Sequence, residues 1–81
     1  MPTEAEITET LTEIFADVFG RDIPLAPTLT ARDVAGWDSF KQIEIIMATE
    51  ERYAIRFSTR DLDSLQSVGD LIAVVAAKAG T

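Results

Sequence analysis

Near the middle of the chain, Asp38-Ser39 follows Gly36-Trp37 and heads an apolar-rich run that reaches Met47. A serine hydroxyl in this setting has two chemical uses, as a nucleophile or as a point of attachment. The first needs a base. The chain has no His and no Cys, so a Ser-His or Cys-His arrangement is out of reach and self-contained nucleophilic catalysis is not expected. The absence of Cys also removes a disulfide staple and a thiolate zinc site. Attachment asks less. A serine in the first turn of a helix stands where free N–H groups and the helix dipole favour an added phosphate ester. Modification by another enzyme therefore suits Ser39 better than catalysis by it, while the plainest reading of Asp38-Ser39 is helix capping alone.

The elements that must hold this serine can be read in turn. Thr3 with Glu6 three residues on forms a capping box, and Ile7, Leu11, Ile14, Phe15, Val18 and Phe19 recur at helical spacing up to Gly20. The pattern predicts a first helix from about Glu4 to Phe19. Pro24 and Pro27 exclude a regular helix between Arg21 and Trp37, where Leu25 and Leu29 are candidate anchors of a long loop. Asp38 caps a second helix running to Tyr53 or Ala54. Ser58 or Thr59 caps a short helical turn through Leu62 and Leu65. Ser67, with Asp70 completing a capping-box-like pair, opens a last helix whose apolar face is Val68, Leu71, Ile72 and Val75. The expected fold is all-α: a small four-helix bundle of three main helices and a short third one, with a long first loop, in a single domain over residues 1–81.

The second helix is apolar on two sides. At about 100° per residue, Ile45, Ile46, Thr49 and Tyr53 share one side, an ordinary core stripe. Phe40, Ile43 and Met47 fall roughly opposite, flanked by Glu44, Glu50 and Glu51. So small a bundle is not expected to bury both stripes, and an exposed apolar stripe rimmed by like charge reads as a docking surface. The competing expectation is that another helix covers Phe40 or Met47.

Composition bounds the remaining choices. With 81 residues and 47% hydrophobic, the chain can build a thin core of modest stability. It has no 18-residue apolar run to span a membrane, and its acidic start MPTEAEITET is no secretory signal, so the cytoplasm is the expected location. Acidic residues number 14 against 7 basic, a net charge of −7. That balance disfavours nucleic acid and favours protein partners with basic patches, or serves solubility alone.

The stretch GWDSFKQIEIIMATEERYAIRF resembles the signature region of acyl carrier proteins. In that family a G-x-D-S-[LM] motif opens the second helix and an E-x-x-M-x-x-E-E pattern follows. Here these read Gly36-Trp37-Asp38-Ser39-Phe40 and then Glu44, Met47, Glu50 and Glu51. Downstream, SVGDLI from Ser67 to Ile72 is similar to the family's TVGD start of the last helix. The resemblance implies a carrier whose serine, Ser39 in the Asp38-Ser39 motif, bears 4′-phosphopantetheine. A separate phosphopantetheinyl transferase moves this arm from coenzyme A with Mg²⁺, and its thiol holds acyl groups as thioesters. It further implies that Phe40, Ile43, Glu44, Met47, Glu50 and Glu51 face partners: the transferase, and acyl-loading and acyl-processing enzymes with basic patches. The chain is then a non-catalytic, monomeric carrier for fatty-acid, polyketide or related biosynthesis. The alternative is an unmodified acidic helical adaptor that binds a basic protein.

Asp63-Ser64-Leu65 spells a second D-S-L, without the preceding Gly or a following acidic, Met-bearing helix, so Ser39 stands ahead of Ser64. The chain also departs from the family pattern. Phe40 replaces Leu or Met, Lys41 and Arg52 are basic where acidic residues are common, Thr49 replaces a core Leu, and Trp37 is a bulky neighbour of the attachment point. These departures imply a specialised carrier, with Lys41 and Arg52 expected to dilute the negative field of the second helix.

Overall fold

A computed structural model describes residues 3–79 as four α-helices joined by one long and two short connections. Met1-Pro2 and Gly80-Thr81 of the expected domain lie outside the described residues. The first helix, α1, is Glu4–Phe19. It begins with the expected capping box, in which Glu6 N–H donates to Thr3 Oγ1 at 3.2 Å and Thr3 N–H donates to Glu6 Oε1 at 3.4 Å. It ends at Gly20, whose left-handed backbone (φ 69°) lets its N–H reach Ala16 O. Its buried side is Ile7, Leu11, Ile14 and Phe15.

The second helix, α2, is Ser39–Tyr53, and it buries Ile45, Ile46 and Thr49. Thr49 is a polar residue with no exposure, yet its hydroxyl donates to Ile45 O at 2.7 Å. Its own helix thus satisfies it, which is why a Thr is tolerated at this position of the core stripe. Among the described residues no buried side-chain N or O lacks a partner.

Helix α3, Thr59–Asp63, is capped by Ser58 with Asp61 in a second capping box. It stops short of Leu65. The Ser64 N–H and hydroxyl both turn back onto carbonyls of the last turn, with Oγ donating to Asp61 O at 2.8 Å. The side chain thereby competes for the helix's own acceptors. Helix α4, Val68–Ala79, buries Val68, Leu71, Ile72 and Val75 as the spacing required. Its capping differs in detail from a box. Asp70 N–H donates to Ser67 Oγ, but the Asp70 carboxylate accepts from Gln66 N–H, one residue early.

The long loop is pinned to the helices, as its candidate anchors implied. Val68 N–H donates to Leu29 O at 2.8 Å and Gly69 N–H to Pro27 O at 2.9 Å. Loop carbonyls therefore take two of the donors that every helix start leaves open. Ile23 and Val34, which carry no periodicity, are buried in the core beside the partly buried anchors Leu25 and Leu29. Between them Ala31–Asp33 forms a single 3-10 turn, with the Asp33 carboxylate accepting from Thr30 N–H. Helix α1 is the hub: it packs on α2 and on α4.

Candidate functional site

Ser39 is the first residue of α2 and is exposed. Asp38 precedes it in an extended conformation and turns its carboxylate onto the helix, where Oδ1 accepts from Lys41 N–H at 2.9 Å. Gln42 N–H donates to Asp38 O. The N–H groups of Ser39 and Phe40 are left with no intrahelical acceptor, as the start of any helix dictates. Among the described residues the Ser39 hydroxyl is engaged in no hydrogen bond. A free hydroxyl beside open N–H donors at a helix N-terminus is a favourable place for a phosphate ester. Ser64 is the reverse case. It sits at the C-terminal end of α3 with its hydroxyl committed to Asp61 O, where the dipole opposes negative charge.

The segment that presents Ser39 is held to the far end of α1 by four contacts. Trp37, expected as a bulky neighbour of the attachment point, lines the same cleft as Ser39 and packs its ring edge-on to Phe15 at 5.2 Å and to Phe19 at 6.2 Å between centroids. Such edge-to-face pairs add about 0.5–1.5 kcal/mol beyond area burial. Its indole N–H donates to Gln42 Oε1 at 2.8 Å. Arg21 lies over the Phe19 ring and donates from Nη2 to Ala35 O. Lys41 donates from Nζ to Val18 O at 3.0 Å, capping the last turn of α1. Residues 35–41, which include the first residues of α2, are thus clamped to the end of α1 and the residue just beyond it. The roles of Arg21 and Gln42 were invisible in the sequence, because no local signal links them to the Asp38-Ser39 motif.

A cleft of about 550 Å³ opens beside Ser39. Trp37, Gln42 and Ile43 line one side, and Leu62, Leu65 and Leu71 the other. The second stripe of α2 borders it, Ile43 belonging to both, with Phe40 77%, Ile43 56% and Met47 62% exposed, so neither α3 nor α4 covers them. Leu62 of α3 continues the apolar surface at 43% exposure.

The charges around this stripe are arranged differently from the expectation. Glu44 and Glu51 are exposed, whereas Glu50 is half-buried and its Oε2 accepts from Phe57 N–H at 2.8 Å. Lys41 and Arg52, expected to dilute the negative field of the second helix, direct their side chains toward α1. Lys41 points to α1, and Arg52 pairs with Glu13 of α1 at 2.9 Å. Both are long, flexible side chains drawn to acceptors on the neighbouring helix. A second ion pair, Lys78 Nζ to Asp61 Oδ2 at 2.9 Å, ties α4 to α3. The Lys78 ammonium, helped by Ser58 N–H, pulls the Asp61 carboxyl down to about 2. Among the described residues no cluster of three or more His, Cys, Asp or Glu is placed to hold a metal, and no helix is long and apolar enough to cross a membrane.

A family model described as the phosphopantetheine attachment site matches residues 9–75. A solution NMR structure of a holo acyl carrier protein from Geobacter metallireducens, 37% identical, superposes with a TM-score of 0.86 over 99% of this chain and 88% of that one. The chain belongs to the acyl carrier protein family. Among acyl carrier relatives, the meromycolate extension acyl carrier protein of Mycolicibacterium smegmatis is 32% identical over 90% of this chain and 75% of its own length. The acyl carrier protein of an Exiguobacterium species is 27% identical over 94% of this chain and 98% of its own length. Several relatives are longer: the chain spans 46% of a putative mitochondrial acyl carrier protein of Schizosaccharomyces pombe and 64% of the meromycolate extension protein of Mycobacterium tuberculosis. Acyl carrier proteins are carriers rather than catalysts, and the group this carrier bears is covalent phosphopantetheine. The site suits it: an unengaged hydroxyl, open N–H donors for a phosphate, and a largely apolar cleft alongside.

Proposed function

We propose that Ser39 carries the phosphopantetheine arm and that this carrier delivers acyl groups to the enzymes of a fatty-acid, polyketide or related route. When bound, the arm supplies a terminal thiol that holds acyl groups as thioesters. The observation that carries the assignment is the position of Ser39, exposed at the first residue of α2 with its hydroxyl unengaged and Asp38 committed to capping. In the modification step the Ser39 Oγ–P bond forms as the pyrophosphate bond of coenzyme A breaks. 3′,5′-Adenosine bisphosphate leaves, and the hydroxyl proton passes to the transferase, since a chain without His offers no imidazole to take it.

Partner contact belongs to the same proposal. Phe40, Ile43 and Met47 form the apolar centre, with Glu44 and Glu51 as an acidic rim for enzymes with basic patches. Asp38 holds the start of the helix, and Glu50 contributes from its edge. A single carrier domain, a monomeric state and a cytoplasmic location are part of this reading.

Incubation with coenzyme A, Mg²⁺ and a broad-specificity phosphopantetheinyl transferase tests it. The chain should gain the mass of one arm, and Ser39→Ala should lose the gain while changing stability by no more than about 0.5 kcal/mol. If Ser64→Ala abolishes the gain and Ser39→Ala does not, the assignment is wrong. If no gain occurs under any condition, the unmodified adaptor becomes the better reading.

A further inference from the structure

The Trp37 indole is a donor with no acceptor of its own. Its N–H donates to Gln42 Oε1 at 2.8 Å in a half-buried setting, and the ring is held edge-on against Phe15 and Phe19. That one bond sets the orientation of the Gln42 amide. The oxygen must face the indole, so Nε2 with its two N–H donors is turned away from it. Among the described residues no hydrogen bond occupies those donors. Gln42 follows Ser39 by three residues on α2, which makes their side chains neighbours on the helix surface, and both line the same cleft. Of the other polar side chains within a turn of Ser39, Lys41 is drawn to Val18 O and Asp38 accepts from Lys41 N–H. Gln42 is the neutral donor that remains.

We propose that Gln42 is a contact for the phosphopantetheine arm and that Trp37 is its positioning residue. The part of the arm next to the phosphate offers a hydroxyl and an amide carbonyl as acceptors. The Gln42 Nε2–H groups donate to these oxygens and lay the arm along the cleft instead of leaving it free in solvent. Trp37 acts through Gln42: by engaging Oε1 it keeps the donor end of the amide on the arm's side. The inference rests on Ser39 as the attachment residue.

The test uses the full chain in apo and holo forms, with peptide mapping to locate the arm first. An arm found elsewhere than Ser39 overturns the attachment reading and this inference together. With the arm on Ser39, the two readings separate, and NMR decides the second. The Gln42 side-chain amide pair should shift between apo and holo chains, and the arm's geminal methyl protons should show cross-relaxation to Gln42 or Trp37. Gln42→Glu keeps an acceptor for the indole but removes the donors. It should lose the arm cross-peaks while the indole N–H resonance stays in place, a result that mere loss of structure would not give. Trp37→Phe should weaken the same cross-peaks. An unshifted Gln42 amide pair, or cross-peaks that survive Gln42→Glu at full intensity, overturns the proposal. Should Gln42→Glu fail to fold, the apo–holo comparison of the unmutated sequence decides alone.

Discussion

A Cβ placed on Gly69 would stand 2.8 Å from the Pro27 carbonyl oxygen and 3.3 Å from the Pro27 Cβ. Gly69 is the second residue of α4, where helix propensity favours Ala by about 1 kcal/mol. The close approach reverses that preference, because the obstructing atom is backbone and already accepts the Gly69 N–H. Gly69→Ala is expected to destabilise the chain by about 1–3 kcal/mol, the cost of overpacking a fitted contact. Urea unfolding measures it, and a midpoint higher than that of the unmutated chain would show that the loop does not pin α4.

Ala54 ends α2 in the left-handed region at φ 55°, a conformation that costs an L-residue about 1–2 kcal/mol. Glycine removes that cost but gains about 0.4–1 kcal/mol of unfolded-chain entropy. Ala54→Gly should therefore stabilise the chain by about 0.5 kcal/mol, the difference of these opposing effects. The expected result is a small rise in thermal midpoint; a fall would argue against the left-handed cap.

The Asp61 carboxyl, pulled down to about 2 from an ordinary 3.8 by Lys78, makes part of the stability pH-dependent. A carboxyl held lower in the folded chain than in the unfolded one adds stability where both are ionised, above about pH 4. That increment is lost as pH falls through about 2. Asp61→Asn and Lys78→Met should each lower the thermal midpoint near neutral pH. The gap to the unmutated chain should close between about pH 4 and pH 2. A gap that ignores pH would show that the ionised Asp61 carboxylate does not carry this stability.

Charge reversal tests the acidic rim. Exposed pairs contribute only about 0.2–1 kcal/mol each, so the carboxylates should mainly speed encounter while Phe40, Ile43 and Met47 hold the complex. Glu44→Lys and Glu51→Lys should lower the association rate with the transferase, most strongly at low ionic strength. Rates indifferent to salt and to both substitutions would reduce the rim to a solubility feature.

Glu50 should behave differently, because its carboxylate accepts from Phe57 N–H. Glu50→Ala is expected to cost about 1–3 kcal/mol by leaving that part-buried N–H unpaired, measured by urea unfolding under conditions where Glu44→Ala changes little.

The amino-acid sequence by itself determined what acts within a turn or two of the chain. The capping pair Thr3-Glu6, the cap at Asp38, Ser58 as one of two candidate caps of α3 and the 3.6-residue periodicities of α1, α2 and α4 all appear where local spacing placed them. So do the two opposed stripes of α2 and the position of Ser39 at its start, because a helix converts spacing directly into direction. Tertiary structure alone decided where the long-range partners went. Ile23 and Val34 join the core from a loop with no periodicity, since burial there depends on how α1, α2 and α4 close around it. Pro27 and Leu29 lend their carbonyls to α4, some 40 residues further along the chain. Lys41 and Arg52 turn from the exposed stripe of α2 to Val18 and Glu13, and Trp37 packs on Phe15 while still lining the cleft beside Ser39. A long side chain chooses among acceptors that become neighbours only when helices dock, and residue types alone do not specify which helix will supply them.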